Sequence, residues 1–430
     1  MPHVVESLRV VPLGAELRKQ SELGAEVVLP SSMKHLDFES LSEEEKTTLR
    51  SGLFDNGVLV VRNQQGLDPN VMPRIGRFFD ETAWDINSGG ENMLTDSKSI
   101  LSKNRGEELS LFMCPYSCGA RVPRAPQVII IGKGKWTGYE GLPDLDLKHV
   151  SHTEFHETPC TKEETEQGFT RPYRWHMDAP LYERLPGYVT SLHSLKNPVL
   201  PDQKLRFPSG EVMPIAAGAT AFYSGARAFE LLSAEEKEFA LNITVQYAPR
   251  AYEWILNCKA TDDGMVIAKS GQEKRIEDLD EWSWDKVHAF PMVWRNHGNG
   301  KPHLQVLGCC VYALRTTNPA TGEVTVIDNL NDVRGICHKL TRKVYAPENI
   351  YAHRWQEGDL VIFHNRGVLH SITGELSRPS GGRTRKSGCF GNAPWRVGRC
   401  RLRTGLRAET TDHASDIRCP MCQIITNDAR

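Results

Sequence analysis

Between residues 41 and 79 the hydrophobic period changes twice. Leu41-Ser42-Glu43-Glu44-Glu45 opens a helical repeat in which Ser42 caps the first turn and Glu45 holds the capping-box position, and Asn56-Gly57 ends it. Val58-Leu59-Val60-Val61-Arg62 is short and β-branched, so it predicts a strand, and Asp68-Pro69 starts a second helix through Phe78-Phe79. The spacing predicts further strands at Gln127–Ile131, Tyr173–Asp178, Val189–Leu195, Ala219–Tyr223, Thr244–Ala248, His303–Leu307 and Leu360–Phe363. Ser233-Ala234-Glu235-Glu236 caps another helix. Many short strands with few helices predict a mainly β fold with flanking helices, a sandwich or jelly roll.

Residues 1–35 carry scattered charge with little periodicity and are expected to be an N-terminal extension, followed by a single domain over 36–395. Within it, 142–169 is polar and rich in histidine, which predicts a lid over a site. Beyond 396 the arginines and a polar end holding Cys419-Pro420-Met421-Cys422 predict a disordered tail.

Charge refines this picture. The chain has 52 Lys plus Arg against 54 Asp plus Glu, a net charge of −2, so neither nucleic acid nor membrane is an expected partner. Glu6 and Arg9 interrupt any apolar leader, and the apolar runs Gly57–Val61 and Val128–Ile131 fall far short of a membrane span. Eleven cysteines, an odd number, are expected to be thiols. Together these predict a globular enzyme of the cytoplasm, homo-oligomer formation being left open.

The candidate chemistry lies in Tyr173-Arg174-Trp175-His176-Met177-Asp178. Residues i and i+2 of a strand share a face, so His176 and Asp178 offer an imidazole and a carboxylate to one point. A third ligand from a later strand, His370 in Phe363-His364-Asn365-Arg366-Gly367-Val368-Leu369-His370, would complete a 2-His-1-carboxylate facial triad for Fe(II). An HxD pair alone occurs often by chance.

Several ordered motifs raise it above chance. Asn56-Gly57-Val58-Leu59-Val60-Val61-Arg62 with Asp68-Pro69, then His176-x-Asp178, then Gly218-Ala219-Thr220-Ala221-Phe222 with Ala228-Phe229-Glu230-Leu231-Leu232-Ser233, and finally Asn365-Arg366-x3-His370 follow one another in the chain. From about Leu36 to Arg385 the chain resembles the Fe(II)/2-oxoglutarate-dependent dioxygenases of the taurine dioxygenase (TauD/TfdA) superfamily. The resemblance implies a double-stranded β-helix core, cupin-like and of the clavaminate synthase-like type. It also implies Fe(II) held by His176, Asp178 and His370, with 2-oxoglutarate and O2 as co-substrates. Thr220 would hydrogen-bond 2-oxoglutarate, and Arg383, or Arg385 in the alternative register, would pair with its distal carboxylate through a planar fork. His364, a rival for His370, occupies a place that is not a ligand in the family.

Within the superfamily, Arg174-Trp175-His176-Met177-Asp178-Ala179-Pro180-Leu181-Tyr182 and Tyr351–Ser371 most resemble the fungal xanthine dioxygenases. Those enzymes follow the co-substrate arginine with a Gln-Cys-Asn run that lines the purine pocket. Here Ser387-Gly388-Cys389 stands there, and a pocket that loses hydrogen-bond partners can lose its polar substrate by orders of magnitude. The expected substrate is therefore a diverged one, an amino acid or secondary-metabolite intermediate, undergoing hydroxylation, desaturation or ring closure. The alternative is conversion of xanthine to uric acid. Gln127, Lys148, Glu164 and Cys389 are the candidate substrate residues.

Other classes compete. His149-x2-His152-x3-His156 has the spacing of a zinc site on a helix, which would suggest a hydrolase. Cys419-x2-Cys422 is half of a metal or redox motif, the arginines beyond 396 could touch nucleic acid, and a non-catalytic jelly roll could serve as a binding protein.

Overall fold

The computed structural model describes residues 6–81, 83–85, 120–136, 138–142, 145–147, 152–178, 185–197, 199–279, 282–374 and 395–404, some of them, including 395–404 and Gln127, by backbone alone. The strands that position the site are β1 (Arg9–Pro12), β2 (Ala25–Val28), β3 (Val58–Val61), β4 (Ala125–Trp136), β5 (Val189–Lys196), β6 (Thr220–Ser224), β7 (Ile350–His353), β8 (Leu360–His364), β9 (Val368–Ile372) and β10 (Trp395–Thr404). The helices that matter are α1 (Glu43–Asn56), α2 (Val71–Phe79), α3 (Ala234–Leu241) and α4 (Leu330–Thr341). The protein is rich in strands with helices at its flanks, as expected.

The large sheet runs β1-β2-β3-β8-β5-β10-β4, and a smaller one runs β7-β6-β9. Alternation decides what lies on each face. Val58, Val60, Leu192, Val361 and Phe363 of the large sheet meet Phe222, Tyr351 and Val368 of the small one in a shared buried layer. On the other face of the large sheet, Leu59, Val61, Leu360 and Ile362 pack against Leu49 and Leu53 of α1 and Met72 and Ile75 of α2. The outer face of the small sheet, through Ala221, Tyr223 and Leu369, joins a third cluster that includes Val333, Cys337 and Leu340 of α4.

Local signals were accurate where they were complete. Ser42 and Glu45 form the capping box of α1, an arrangement that stabilises a helix start by about 1 kcal/mol, and Gly57 ends the helix at φ +66°. Ser233 and Glu236 do the same for α3. The second helix begins later than expected, at Val71, because Asp68 accepts from the backbone N–H of Asn70 and makes a turn first.

Two expected boundaries are corrected. Residues 1–35 are not a separate extension over their described part, because β1 pairs with β2 and β2 pairs in parallel with β3. Nor is the stretch from 396 to 404 a disordered tail, since β10 lies between β5 and β4, with Arg399 opposite Leu192 on one side and Ile129 on the other. The run Arg399-Cys400-Arg401-Leu402-Arg403 alternates with period two, and counting its arginines as a charge cluster hid that strand. Deleting residues 395–430 is expected to expose the edges of β5 and β4 and replace cooperative thermal unfolding with aggregation. A truncated protein that stays soluble and melts cooperatively at the same temperature would show that β10 is dispensable.

In the expected lid, Leu145–Leu147 pairs with β4, and Lys162–Glu166 is a short helix. No helix among the described residues is long and apolar enough to cross a membrane.

Candidate metal centre

The segment expected as a strand at Tyr173–Asp178 is held differently. It touches the small sheet at two isolated bridges, Pro172 with Thr373 and His176 with His370, while the Trp175 N–H turns away to the Gly264 carbonyl at 3.0 Å. His176 and His370 exchange both backbone hydrogen bonds, each 2.9 Å, so the two residues lie directly opposite one another. Their rings are 4.1 Å apart between centroids. Asp178 Oδ1 is 3.9 Å from Nε2 of each histidine, and one ligand atom from each of the three residues falls within 4.8 Å of the others. Asp178 and His370 side chains are buried, and His176 keeps a small exposed edge.

Neighbours fix these ligands. His176 Nδ1 lies 2.9 Å from the Arg174 carbonyl, which assigns its proton to Nδ1 and leaves Nε2 as the metal-facing lone pair. The His370 ring sits 4.8 Å from Phe363 and 6.0 Å from Phe222, so the buried layer between the sheets wedges it.

Asp178 is held by the turn between β8 and β9. Asn365, fully buried, accepts from the Asp178 N–H at 2.7 Å and donates to the carbonyls of Asp178 and Gly187 at 2.9 Å each. All the polar capacity of the amide nitrogen is thereby used. Next to it, the Arg366 guanidinium donates twice to the Pro186 carbonyl, at 2.9 and 2.6 Å, and lies 4.1 Å from the Tyr188 ring. Gln305 then holds the turn from behind through the carbonyls of Asn365 and Val368, 3.2 and 3.4 Å away. Gly367 completes the turn, where a Cβ would lie 2.3 Å from His364 Nδ1. Sequence reading saw Asn365 and Arg366 only as letters of a motif.

Other expected residues fall into several groups. Thr220 lies on β6 opposite Ile372, two residues from Phe222, which is opposite His370, so Thr220 and His370 share a face. Its hydroxyl accepts from the Trp355 indole N–H at 3.1 Å. Glu164 caps the helix Lys162–Glu166 by accepting from the Thr161 N–H and pairs with Arg206 at 2.6 Å. Gln127 is placed by its backbone on β4. Lys148, Arg383, Arg385 and Cys389 lie outside the described residues, as do His149, Ser387, Gly388, Cys419 and Cys422.

The two histidine rivals are committed elsewhere. His364 is buried on β8 beside Phe54 at 5.1 Å, and burial pushes it well below its usual pKa. His156 places Nδ1 3.0 Å from the Thr261 carbonyl, and burial lowers it to about 4. Among the described residues the group able to hold a metal is His176, Asp178 and His370.

Two imidazoles and one carboxylate brought together in this way are a group able to hold one metal ion, with the donor types of non-haem iron oxygenases. Residues 129–386 match the family described as taurine catabolism dioxygenase TauD, TfdA family, and the chain belongs to that family. It is 38% identical over 353 residues to the alpha-ketoglutarate-dependent xanthine dioxygenase of Emericella nidulans, covering 82% of this chain and 90% of that one. The xanthine dioxygenase of Schizosaccharomyces pombe is 36% identical over 372 residues, 86% of this chain and 85% of the other. An alpha-ketoglutarate-dependent dioxygenase of Alternaria brassicicola is 29% identical over 347 residues, 78% and 83% of the two chains. The protein is thus a 2-oxoglutarate-dependent oxygenase, an enzyme class that uses Fe(II), 2-oxoglutarate and O2.

Proposed function

We propose that His176, Asp178 and His370 bind Fe(II), that Thr220 and Arg383, or Arg385 in its place, hold 2-oxoglutarate, and that a small polar molecule is oxidised beside them in the cytoplasm. The observation that carries this reading is the convergence of three ligand atoms within 4.8 Å from two distant segments of chain. When bound, iron would activate O2, the oxidant, which would oxidise both the keto acid, released as succinate and CO2, and the substrate. The chain's own residues do the positioning. The carboxylate of Asp178 would offset one charge of the cation, the Nδ1 hydrogen bond of His176 aims Nε2, and the hydroxyl of Thr220 and a guanidinium fork would meet the keto acid. The double-stranded β-helix reading is supported by strand order: β4-β10-β5-β8 on one side, and the 172–176 segment, β9, β6 and β7 on the other.

The substrate is proposed to be a diverged one, an amino acid or secondary-metabolite intermediate, because Ser387-Gly388-Cys389 replaces the run that resembles a purine reader. A second reading, xanthine, is favoured by the names of the relatives at 36–38% identity. Succinate release measured with xanthine, hypoxanthine and a panel of aliphatic amino acids separates them. The expected result is stronger coupled turnover on a compound other than xanthine; xanthine turnover as efficient as any alternative would make the purine reading correct.

A further inference from the structure

The Thr220 hydroxyl is a group whose direction matters. A hydroxyl has one hydrogen to donate and two positions to accept at, and the hydrogen rotates to suit its surroundings. The hydroxyl is buried, with Thr220 6% and Trp355 4% exposed. Trp355 can only donate, and its indole N–H reaches Thr220 Oγ1 at 3.1 Å. Among the described residues no acceptor takes the Thr220 hydroxyl hydrogen. A buried hydroxyl that accepts from a donor-only partner and has its hydrogen uncommitted is set up to donate to a ligand.

Trp355 is itself held on three sides. Its ring meets His353 edge-on, 4.5 Å between centroids at 87°, and its carbonyl accepts from the Asn197 side-chain amide. His353 lies opposite Thr220 in the β6–β7 register, so the threonine and the tryptophan share one neighbour. The imidazole is pinned in turn between the Tyr351 hydroxyl at 2.8 Å and Asp359 at 3.1 Å. Asp359 takes two further donors, Arg62 at 2.6 Å and the Gln356 N–H at 2.8 Å. Burial lowers the pKa of His353, which keeps the ring neutral and confines the charge to the Arg62–Asp359 pair. A rigid, charge-balanced bank of side chains therefore stands behind one hydrogen bond.

We propose that Trp355 is a positioning residue for the keto acid: its indole N–H occupies an acceptor site of Thr220 and thereby turns the threonine hydroxyl hydrogen toward 2-oxoglutarate. The inference rests on the reading that Thr220 meets that co-substrate. Trp355 touches neither the metal nor the ligand in this account; it acts through Thr220 alone.

The test is equilibrium binding of 2-oxoglutarate to anaerobic Fe(II)-loaded protein, followed by the absorption band of the iron–keto acid complex, for Thr220→Val, Trp355→Phe and the double variant. Net hydrogen-bond strengths lead us to expect about 10-fold weaker binding for Thr220→Val, about 3- to 10-fold for Trp355→Phe, and no further loss in the double variant than in Thr220→Val alone. Fe(II) affinity should be unchanged in all three. Losses that multiply in the double variant would show that Trp355 acts independently of Thr220 and would overturn the inference. Unchanged binding in Thr220→Val would instead remove the assignment of Thr220, and the role of Trp355 with it. Should Trp355→Phe fold poorly, Trp355→His keeps a ring N–H; recovery of most of the affinity is expected, whereas affinity as low as that of a folded Trp355→Leu variant would sink the idea.

Discussion

Asp178→Ala is expected to lose its metal and with it all coupled turnover. Asp178 supplies the single negative charge of the three residues, its side chain is 1% exposed, and a water taking the place of the carboxylate would bring no charge. What remains is two imidazoles with ring centroids 4.1 Å apart. Loss of a partner one layer further out typically costs 10- to 100-fold in metal affinity, so loss of the ligand itself should cost roughly 1,000-fold or more. Elemental analysis after anaerobic loading and desalting measures this directly. Iron retained at one equivalent by a folded Asp178→Ala protein would exclude the triad as the metal site. A distinct control follows from the rival cluster: His156→Ala should retain its iron, since that side chain is bonded to the Thr261 carbonyl away from the triad.

Asn365→Asp should be the second most damaging change, although it replaces one atom by another of nearly equal size. The new oxygen cannot donate to the carbonyls of Asp178 and Gly187, and it places charge against both of them. An uncompensated buried charge costs about 3–5 kcal/mol, and the position is fully buried. Part of that cost can be relieved by protonation or by displacement of the turn. Displacement would move the backbone of Asp178, a proposed metal ligand, so Fe(II) affinity should fall by about 10- to 100-fold in the fraction that folds. Thermal unfolding and an anaerobic Fe(II) titration read the two effects separately. Wild-type iron affinity in Asn365→Asp would mean that Asp178 is placed by something other than this amide.

What could be read in advance was whatever signals itself within a few residues. The capping boxes at Ser42 and Ser233, the β-branched run Val58–Val61 and the HxD pair all have short periods or fixed spacings. The meeting of His176, Asp178 and His370 was legible too, because family motifs in the right order supply the distant His370. The Asn365 clamp was not, since its partners lie near residues 178 and 187 and no periodicity joins them. The strand expected at Tyr173–Asp178 failed for a related reason: Gly264, from a remote loop, takes the Trp175 N–H that a sheet neighbour would otherwise hold. In β10 the strand alternation was present but was outweighed by arginine count. Glu164 shows a further local arrangement, a carboxylate that caps its own helix.

The paired backbone bonds between His176 and His370 bear on which ion the protein carries. Because peptide groups hold the two imidazoles opposite each other, removal of a bound ion with a chelator is expected to leave most of the cradle standing. Such a cradle accepts any divalent ion of suitable size, and affinity alone then follows the order common to nitrogen and oxygen donors, in which iron ranks below cobalt, nickel and copper. The geometry therefore does not choose iron. The choice passes to the cell, through the ions it keeps available when the chain is first loaded.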